Sequence, residues 1–282
     1  MRERGPDSVV TARVGCWLAL TALTGSALMF PVPACGQPSH RQFPFEEFLV
    51  APLRVHLLLA KDIPAVHTTL AEQDVTRILA KLNGVWSQAG VHFYLESLVR
   101  EEAQHAPSHA QRGEPSNRFD LLELRPPQSQ ATNLFHLYFV KEMSANGMCF
   151  AEAIFVKDTA SLRTVEGGID EPIPRVCSHE LGHALGLLHR QDTTNLMASG
   201  TTGTWLNDSE IKQARTTARS CGWIEPAPEI LKRADELFPA NRVAAASWYA
   251  RLATIPLKAA AVELARQRAD QASRTNSNSA AR

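Results

Sequence analysis

Residues 179–189 read HELGHALGLLH, and this segment decides how the rest of the chain is organised. On an α-helix, His179 and His183 lie one turn apart on the same face, so both imidazoles can bind one metal ion. Glu180 is the neighbour of a ligand rather than a ligand itself, and its carboxylate can therefore accept a proton from a metal-activated water molecule. The spacing predicts a helix that carries two metal ligands and a general base.

The end of the segment supplies a third ligand. Gly186 has no Cβ atom and can adopt the left-handed conformation that ends a helix, after which the chain can bring His189 back to the ion. Three nitrogen ligands and one open position are typical of a catalytic zinc site, whereas a structural site has four protein ligands. Two alternatives stay open from these residues alone. One is a zinc site that only stabilises an inactive protein, and the other is a different zinc hydrolase whose third ligand is Glu210.

Residues 179–189, followed by Met197, resemble the zinc signature of the metzincin metallopeptidases. Residues 195–198 are similar to the Met-turn of that family, a tight turn beneath the metal, and the interval from His189 to Met197 is similar to that of the matrixin-like branch. The resemblance implies one Zn²⁺ ion with three ligands: His179, His183 and His189. It also implies that Glu180 is the general base and that Met197 forms the floor of the site.

The function that this resemblance implies is that of a zinc metalloendopeptidase. Such a hydrolase cuts the peptide bonds of proteins with a metal-activated water, here with Glu180 as general base. Some branches have a tyrosine two residues after the methionine, but Ser199 stands at that place here, so the zinc ion would carry the charge of the oxyanion. The alternative is a non-catalytic, zinc-containing envelope or adhesive binding protein derived from a metallopeptidase.

Apolar periodicity along the chain predicts alternating strands and helices. The predicted elements are strands at 53–60, 91–96 and 134–140, one or two strands within 148–156, a helix from Thr68 or Thr69 to 89, and a last helix capped by Asn207 or Asp208 and ending at 220. The resemblance implies an α+β, metzincin-like domain with a mixed, mostly parallel, twisted sheet, an antiparallel edge strand, two long helices and a C-terminal helix. In that family, extended substrate adds to the edge strand, for which residues 149–154 are the candidate.

The two ends of the chain differ from its middle. Basic residues followed by an apolar run over 14–30 are typical of a secretory signal, and this run is too short and too interrupted to predict a membrane-spanning helix. We expect a secreted, extracellular protein. The alternative is a cell-envelope lipoprotein anchored through Cys35, and a third interpretation makes Cys35 a cysteine switch that resembles the one in matrixins.

The chain divides into five predicted parts. They are a signal peptide (1–36), an N-terminal linker (37–52), the zinc metallopeptidase domain (53–223), a small helical C-terminal extension (224–272) and a disordered tail (273–282). With 29 basic and 29 acidic residues, the composition offers no electrostatic case for nucleic-acid binding. A protein or peptide substrate is therefore the expected partner, and we expect a monomer.

Further histidines and cysteines lie outside the motif. His105 and His109 are four residues apart in a predicted surface loop, but no acidic cluster accompanies them, which favours solvated side chains over a second metal site. An oxidising compartment favours a disulfide among the cysteines of the exported body. Because Cys177 falls on the core-facing stripe of the motif helix, we expect it to be free and Cys149 to pair with Cys221. Pairing of Cys177 with Cys221 is the alternative.

Overall fold

The computed structural model describes residue 45 and residues 47–111, 118–255 and 260–280. The predicted signal peptide with Cys35 lies outside these residues, and so does the side chain of His109.

A six-stranded sheet forms the centre of the described chain. Its strands are β1 (Leu49–Leu59), β2 (Val91–Glu102), β3 (Phe135–Val140), β4 (Gly147–Phe150), β5 (Ala153–Lys157) and the short β6 (Glu225–Pro226). The order across the sheet is β2-β1-β3-β5-β4, with β6 pairing on β1. Strands β2, β1, β3 and β5 run parallel to one another, whereas β4 is antiparallel to β5. The predicted mixed, mostly parallel sheet with an antiparallel edge strand is confirmed.

Eight α-helices surround this sheet in the described ranges. They are α1 (Glu72–Trp86), α2 (Ala106–Gln111), α3 (Arg118–Glu123), α4 (Pro172–Ala184), α5 (Asp208–Ser220), α6 (Ala227–Leu237), α7 (Arg242–Ala253) and α8 (Ala260–Ala280). Helices α1 and α4 pack against each other, and their apolar faces share one buried cluster with strands β1, β2, β3 and β5. This core holds the helix that carries His179 and His183 against the sheet. Together, the sheet and helices confirm the predicted α+β class.

Several element boundaries differ from the prediction, among them the end of β2 at Glu102 rather than at residue 96 and the starts of β1 and α1. Strand β1 begins at Leu49 rather than at residue 53. Neither Thr68 nor Thr69 caps α1, because both donate to the carboxylate of Asp158, 2.9 Å and 3.1 Å from the two hydroxyls. The helix instead begins after Ala71, three residues later than a cap at Thr68 would place its start. A partner from a distant part of the chain therefore displaces the local cap. By contrast, Asn207 caps α5 as predicted and accepts a hydrogen bond from the backbone of Glu210 at 3.0 Å.

The predicted edge segment, residues 149–154, is split between two strands. The chain reverses at Ala151, which has a φ of 56°, so β4 forms the edge and β5 lies inside the sheet between β3 and β4. The antiparallel edge strand is therefore Gly147–Phe150.

The C-terminal helices α6, α7 and α8 pack around a second buried cluster, in which Ile230, Tyr249 and Leu252 are the centre. Helix α8 continues to Ala280, so most of the tail that the sequence predicts to be disordered, residues 273–282, is helical. Extending an existing helix adds one hydrogen bond per residue and avoids the cost of nucleation, which explains the difference. Within the described ranges, none of the helices combines the length and apolarity that crossing a bilayer requires.

Candidate metal centre

Helix α4 carries the first two motif histidines. It begins at Pro172, where the missing amide proton breaks no intrahelical hydrogen bond, and it buries an apolar face that includes Val176, Cys177 and Leu181. Shortly after its end, Gly186 has a φ of 81°, in the left-handed region that favours glycine. The predicted helix end is confirmed, and the chain turns back toward the helix at this point.

Three imidazole nitrogens converge beyond this turn. The Nε2 atom of His183 lies 3.2 Å from Nε2 of His179 and 3.1 Å from Nε2 of His189. Histidine, cysteine, aspartate and glutamate side chains can all bind metal ions. Among the described residues, these three histidines form the one cluster of such side chains whose ligand atoms lie close enough together to hold a metal ion. The structure therefore brings together all three predicted ligands.

The tautomers of two ligands follow from their second nitrogens. Nδ1 of His179 lies 2.8 Å from the carbonyl oxygen of Leu196, and Nδ1 of His183 lies 2.8 Å from that of Leu187. A carbonyl oxygen only accepts, so each Nδ1 carries the proton and each Nε2 carries a lone pair. Two such lone pairs cannot hydrogen-bond to each other, and their close approach calls for a cation between them.

The spacing of these nitrogens fits zinc. Two nitrogens bound tetrahedrally to one zinc ion at about 2.05 Å are about 3.3 Å apart, close to the observed separations. Burial lowers the pKa of His179 to about 3 and also lowers the pKa of His183, which keeps both rings in the neutral form that binds a metal. His179, His183 and His189 are therefore a suitable ligand set for one divalent ion of nitrogen-preferring chemistry.

The carboxylate of Glu180 lies beside this cluster in a shielded position. The residue is 7% exposed, and burial raises its pKa to about 8, while the positive charge of Arg175 acts in the opposite direction. A cation on the histidines would lower the pKa of Glu180 in the same way as Arg175 does. Strand β4 covers the carboxylate, since a Cβ atom at Gly147 would lie 2.8 Å from Oε1 of Glu180. The glycine at this position lets the edge strand approach the proposed base.

Met197 lies under helix α4, as the Met-turn resemblance implies. It is fully buried, and a Cβ atom at Gly182 would lie only 2.6 Å from its sulfur. The turn is closed by Asn195, whose side-chain oxygen accepts from the backbone of Met197 at 2.7 Å. The absence of a side chain at Gly182 therefore allows the methionine to support the helix between the two histidines.

Glu210 is a buried connector near the candidate ligands. It is 2% exposed, and its Oε1 atom accepts from Nε of Arg190 at 2.6 Å. Its Oε2 atom accepts from the side chain of Asn195 at 2.8 Å and from the backbone of Asn207 at 2.9 Å. The alternative in which Glu210 is the third metal ligand is wrong, because its two oxygens face these donors and His189 occupies that place.

Sequence reasoning missed Arg175, which lies one helical turn before His179 and is 1% exposed. Its Nε atom donates to the carbonyl oxygen of Gly203 at 3.1 Å, and its Nη2 atom donates to that of Leu196 at 2.8 Å. Nη2 also contacts the carbonyl oxygen of Ala198. The guanidinium thus connects helix α4 to both ends of the loop that contains Met197. The available signal was a lone cation on a helix face that is otherwise apolar.

A cavity of about 300 Å³ adjoins two of the three histidines, His179 and His189. Its wall includes Gly147 from the edge strand, Arg175 and Glu180 from α4, the candidate ligand His189, and Ser199 after the Met-turn. The cavity therefore opens on the proposed base and the proposed metal ligands together, which is the position that a bound substrate group would need.

The predicted disulfide between Cys149 and Cys221 is not formed. Cys149, Cys177 and Cys221 are all free thiols. The sulfur of Cys149 is directed to the carbonyl oxygen of Ala151 at 3.5 Å, whereas a disulfide would need it about 2.05 Å from a second sulfur. Burial raises the pKa of the Cys149 thiol to about 12. Cys177 is buried and free, as predicted.

Comparisons with known proteins give a fold likeness alone. The chain matches no protein-family model and no curated protein sequence. Among solved structures it is similar to archaemetzincin from Methanopyrus kandleri, with 15% sequence identity and a TM-score of 0.41, over 60% of this chain and 96% of that one. At this identity and TM-score, the likeness assigns neither a family nor an activity to this chain.

Proposed function

We propose that this protein is a zinc-dependent endopeptidase. The observation that carries the proposal is the convergence of three imidazole nitrogens beside one buried carboxylate, with His179, His183 and His189 as zinc ligands and Glu180 as general base. A zinc site that only stabilised the fold would need a fourth protein ligand, and the described residues supply three. We also propose that the protein is of the metzincin class. Assignment to the matrixin-like branch is supported only by the interval between His189 and Met197.

The zinc ion and the side chains of the protein have different roles in the proposed reaction. When bound, zinc supplies a Lewis acid that polarises the scissile carbonyl and makes water acidic enough to ionise near neutral pH. Glu180 accepts one proton from the attacking water as the water oxygen bonds to the carbonyl carbon. As the carbon–nitrogen bond breaks, Glu180 passes that proton to the leaving amine. The low exposure of Glu180 keeps bulk solvent from competing for the proton.

Strand β4 is the proposed binding edge for the substrate backbone. It is the outermost strand at one end of the described sheet, and its residue Gly147 packs directly over Glu180. An extended peptide that added to β4 through backbone hydrogen bonds would pass close to the general base. The natural substrate is therefore proposed to be an extended or unfolded segment of a protein.

The test is cleavage of a peptide library and of denatured proteins by the purified full chain, with zinc content measured on the same sample. We expect one zinc per chain, cleavage that a chelator abolishes, and loss of at least about 1000-fold in kcat/KM for Glu180→Gln with zinc retained. The matched control is Glu229→Gln, the same change at an exposed first-turn glutamate of α6, which should cut normally. Protein that binds one zinc but cuts nothing would favour the non-catalytic binding protein.

We also propose that the chain is exported, because its first 36 residues have the composition of a secretory signal. Export as a free protein and anchoring through a lipidated Cys35 differ in the mature N-terminus. Mass spectrometry of that N-terminus in the producing cell distinguishes them, and retention of residues 1–36 would contradict both.

A further inference from the structure

Arg175 is a buried cation in the wall of the 300 Å³ cavity beside the proposed zinc site. Among the described residues, no carboxylate lies within ion-pair distance of it; carbonyl oxygens of the Met-turn loop contact its guanidinium, and the charge of Glu180 acts on it from farther away. A guanidinium is not deprotonated near neutral pH, so Arg175 carries its charge in this buried position. A buried charge without a counter-charge in contact destabilises the fold unless a bound group of opposite charge compensates it.

One nitrogen of this guanidinium lacks an acceptor. Nε and Nη2 donate to the loop, whereas the contact of Nη1 in the described chain is Nδ1 of His179, at 3.3 Å. That Nδ1 already donates its own proton to the carbonyl oxygen of Leu196 and therefore cannot accept another. It must keep this proton if Nε2 of His179 is to bind a metal. The protons of Nη1 therefore face a second donor instead of an acceptor.

We infer that the cavity binds a carboxylate group of the substrate, which accepts hydrogen bonds from Nη1 of Arg175. Arg175 would then be a specificity-determining residue, and the inference rests on the proposed peptidase function. The carboxylate has two chemical sources: the side chain of an aspartate or glutamate next to the scissile bond, or the free C-terminus of a short peptide. A volume of about 300 Å³ is at the lower end for ligand pockets and leaves room for one such group.

A purely structural role for Arg175 is the competing explanation. In that case, the residue only connects α4 to the Met-turn loop, and substrates with and without a carboxylate would be cut equally well. The two explanations therefore differ in a property of the unmodified protein, which can be measured without any substitution at Arg175.

The experiment compares matched peptides with the zinc-loaded full chain. One pair differs by glutamate against glutamine next to the scissile bond, and a second pair by a free against an amidated C-terminus. We expect a preference of about 10- to 100-fold in kcat/KM for the acidic member of one pair, the size of a charge-assisted hydrogen bond. The pair that shows the preference identifies the source of the carboxylate. Equal values within twofold for both pairs would overturn the inference and leave the peptidase function intact.

A binding measurement separates the inference from the proposed activity. The Kd values of the same peptides are measured with the zinc-loaded Glu180→Gln protein, which should bind without cutting. If the unmodified protein cuts nothing but the acidic peptides still bind about tenfold more tightly, the peptidase function fails and the carboxylate site stands. Equal Kd values in that situation would reject both.

Substitutions at Arg175 then test the assigned side chain. Arg175→Met should remove the acidic preference, mainly by raising KM for the acidic peptide, while Arg175→Lys should restore part of it because it restores the charge. The control is Arg219→Met, at an arginine of α5 whose side chain is 56% exposed. Zinc content is checked first for each variant. An acidic preference that persists in zinc-loaded Arg175→Met would overturn the assignment.

Discussion

Replacing Glu210 by glutamine should weaken both the fold and the zinc site. The carboxylate accepts from Arg190, which directly follows the candidate ligand His189, and from Asn195, which opens the Met-turn. It also accepts from the backbone of Asn207 at the start of α5. One buried side chain therefore joins three segments around the metal centre, and the substitution changes a single oxygen to an amide nitrogen.

The magnitude follows from the geometry of Oε2. This atom accepts two hydrogen bonds, at 2.8 Å from Asn195 and at 2.9 Å from Asn207. An amide nitrogen at that place would face two donors in a site that is 2% exposed, and each buried donor left without an acceptor costs about 1–3 kcal/mol. The ion pair with Arg190 adds little, because the arginine side chain is 46% exposed. We expect a loss of about 3 kcal/mol in the free energy of unfolding.

The assay is urea unfolding of the metal-free protein, followed by zinc titration of the folded protein. Zinc affinity should fall about 10- to 100-fold, as is typical when a group that orients metal ligands is removed. Glu229→Gln is again the control, since it makes the same chemical change at an exposed position and should alter stability by less than about 0.5 kcal/mol. An unfolding free energy for Glu210→Gln within 0.5 kcal/mol of the unmodified protein would refute the reasoning from the buried oxygen.

Three further predictions concern other parts of the fold. Burial lowers the pKa of His92 to about 4, so its neutral form is favoured in the folded state, and stability should fall as pH drops below about 6.5. Between pH 7 and pH 5, this residue should lower the free energy of unfolding by about 2 kcal/mol, and His92→Gln should abolish that loss. Parallel pH profiles of the unfolding free energy for the two proteins would contradict this. Gly182→Ala should lower the free energy of unfolding by about 2 kcal/mol, because the added methyl group contacts Met197, and the loss should disappear in the Met197→Ala background. An equal loss in both backgrounds would exclude that contact. Tyr249→Phe should cost about 1 kcal/mol in thermal unfolding through its lost 2.7 Å bond to Asp235, and no change would mean that this bond is not formed in solution.

The candidate metal ligands could be identified from the sequence because their relationship is local. A helix repeats every 3.6 residues whatever surrounds it, so the interval between His179 and His183 places both on one face. Gly186 similarly predicts where the helix ends, since few other residues adopt a φ of 81° without strain. The same reasoning limited the cap of α5 to Asn207 or Asp208, and the cap is Asn207.

Residues whose function depends on distant partners could not be read in this way. Thr68 and Thr69 look like helix caps, yet they bind Asp158, about 90 positions along the chain. The prediction of a Cys149–Cys221 disulfide was wrong for a related reason, because the number of cysteines does not determine the direction in which each sulfur points. Local propensity is a weak guide wherever tertiary contacts compete with it.

The sequence by itself determined the spacing of the histidines, the helix that carries them and the carboxylate next to them. Only the tertiary structure decided that Gly147 shields Glu180, that Glu210 joins the surrounding loops, and that Arg175 is buried beside His179 with no carboxylate of the described residues in ion-pair distance. The physical reason is the range of the interactions involved. Backbone hydrogen bonds within a helix link residues four apart, whereas burial and charge compensation depend on which distant segments pack together, and these set the chemistry of the site.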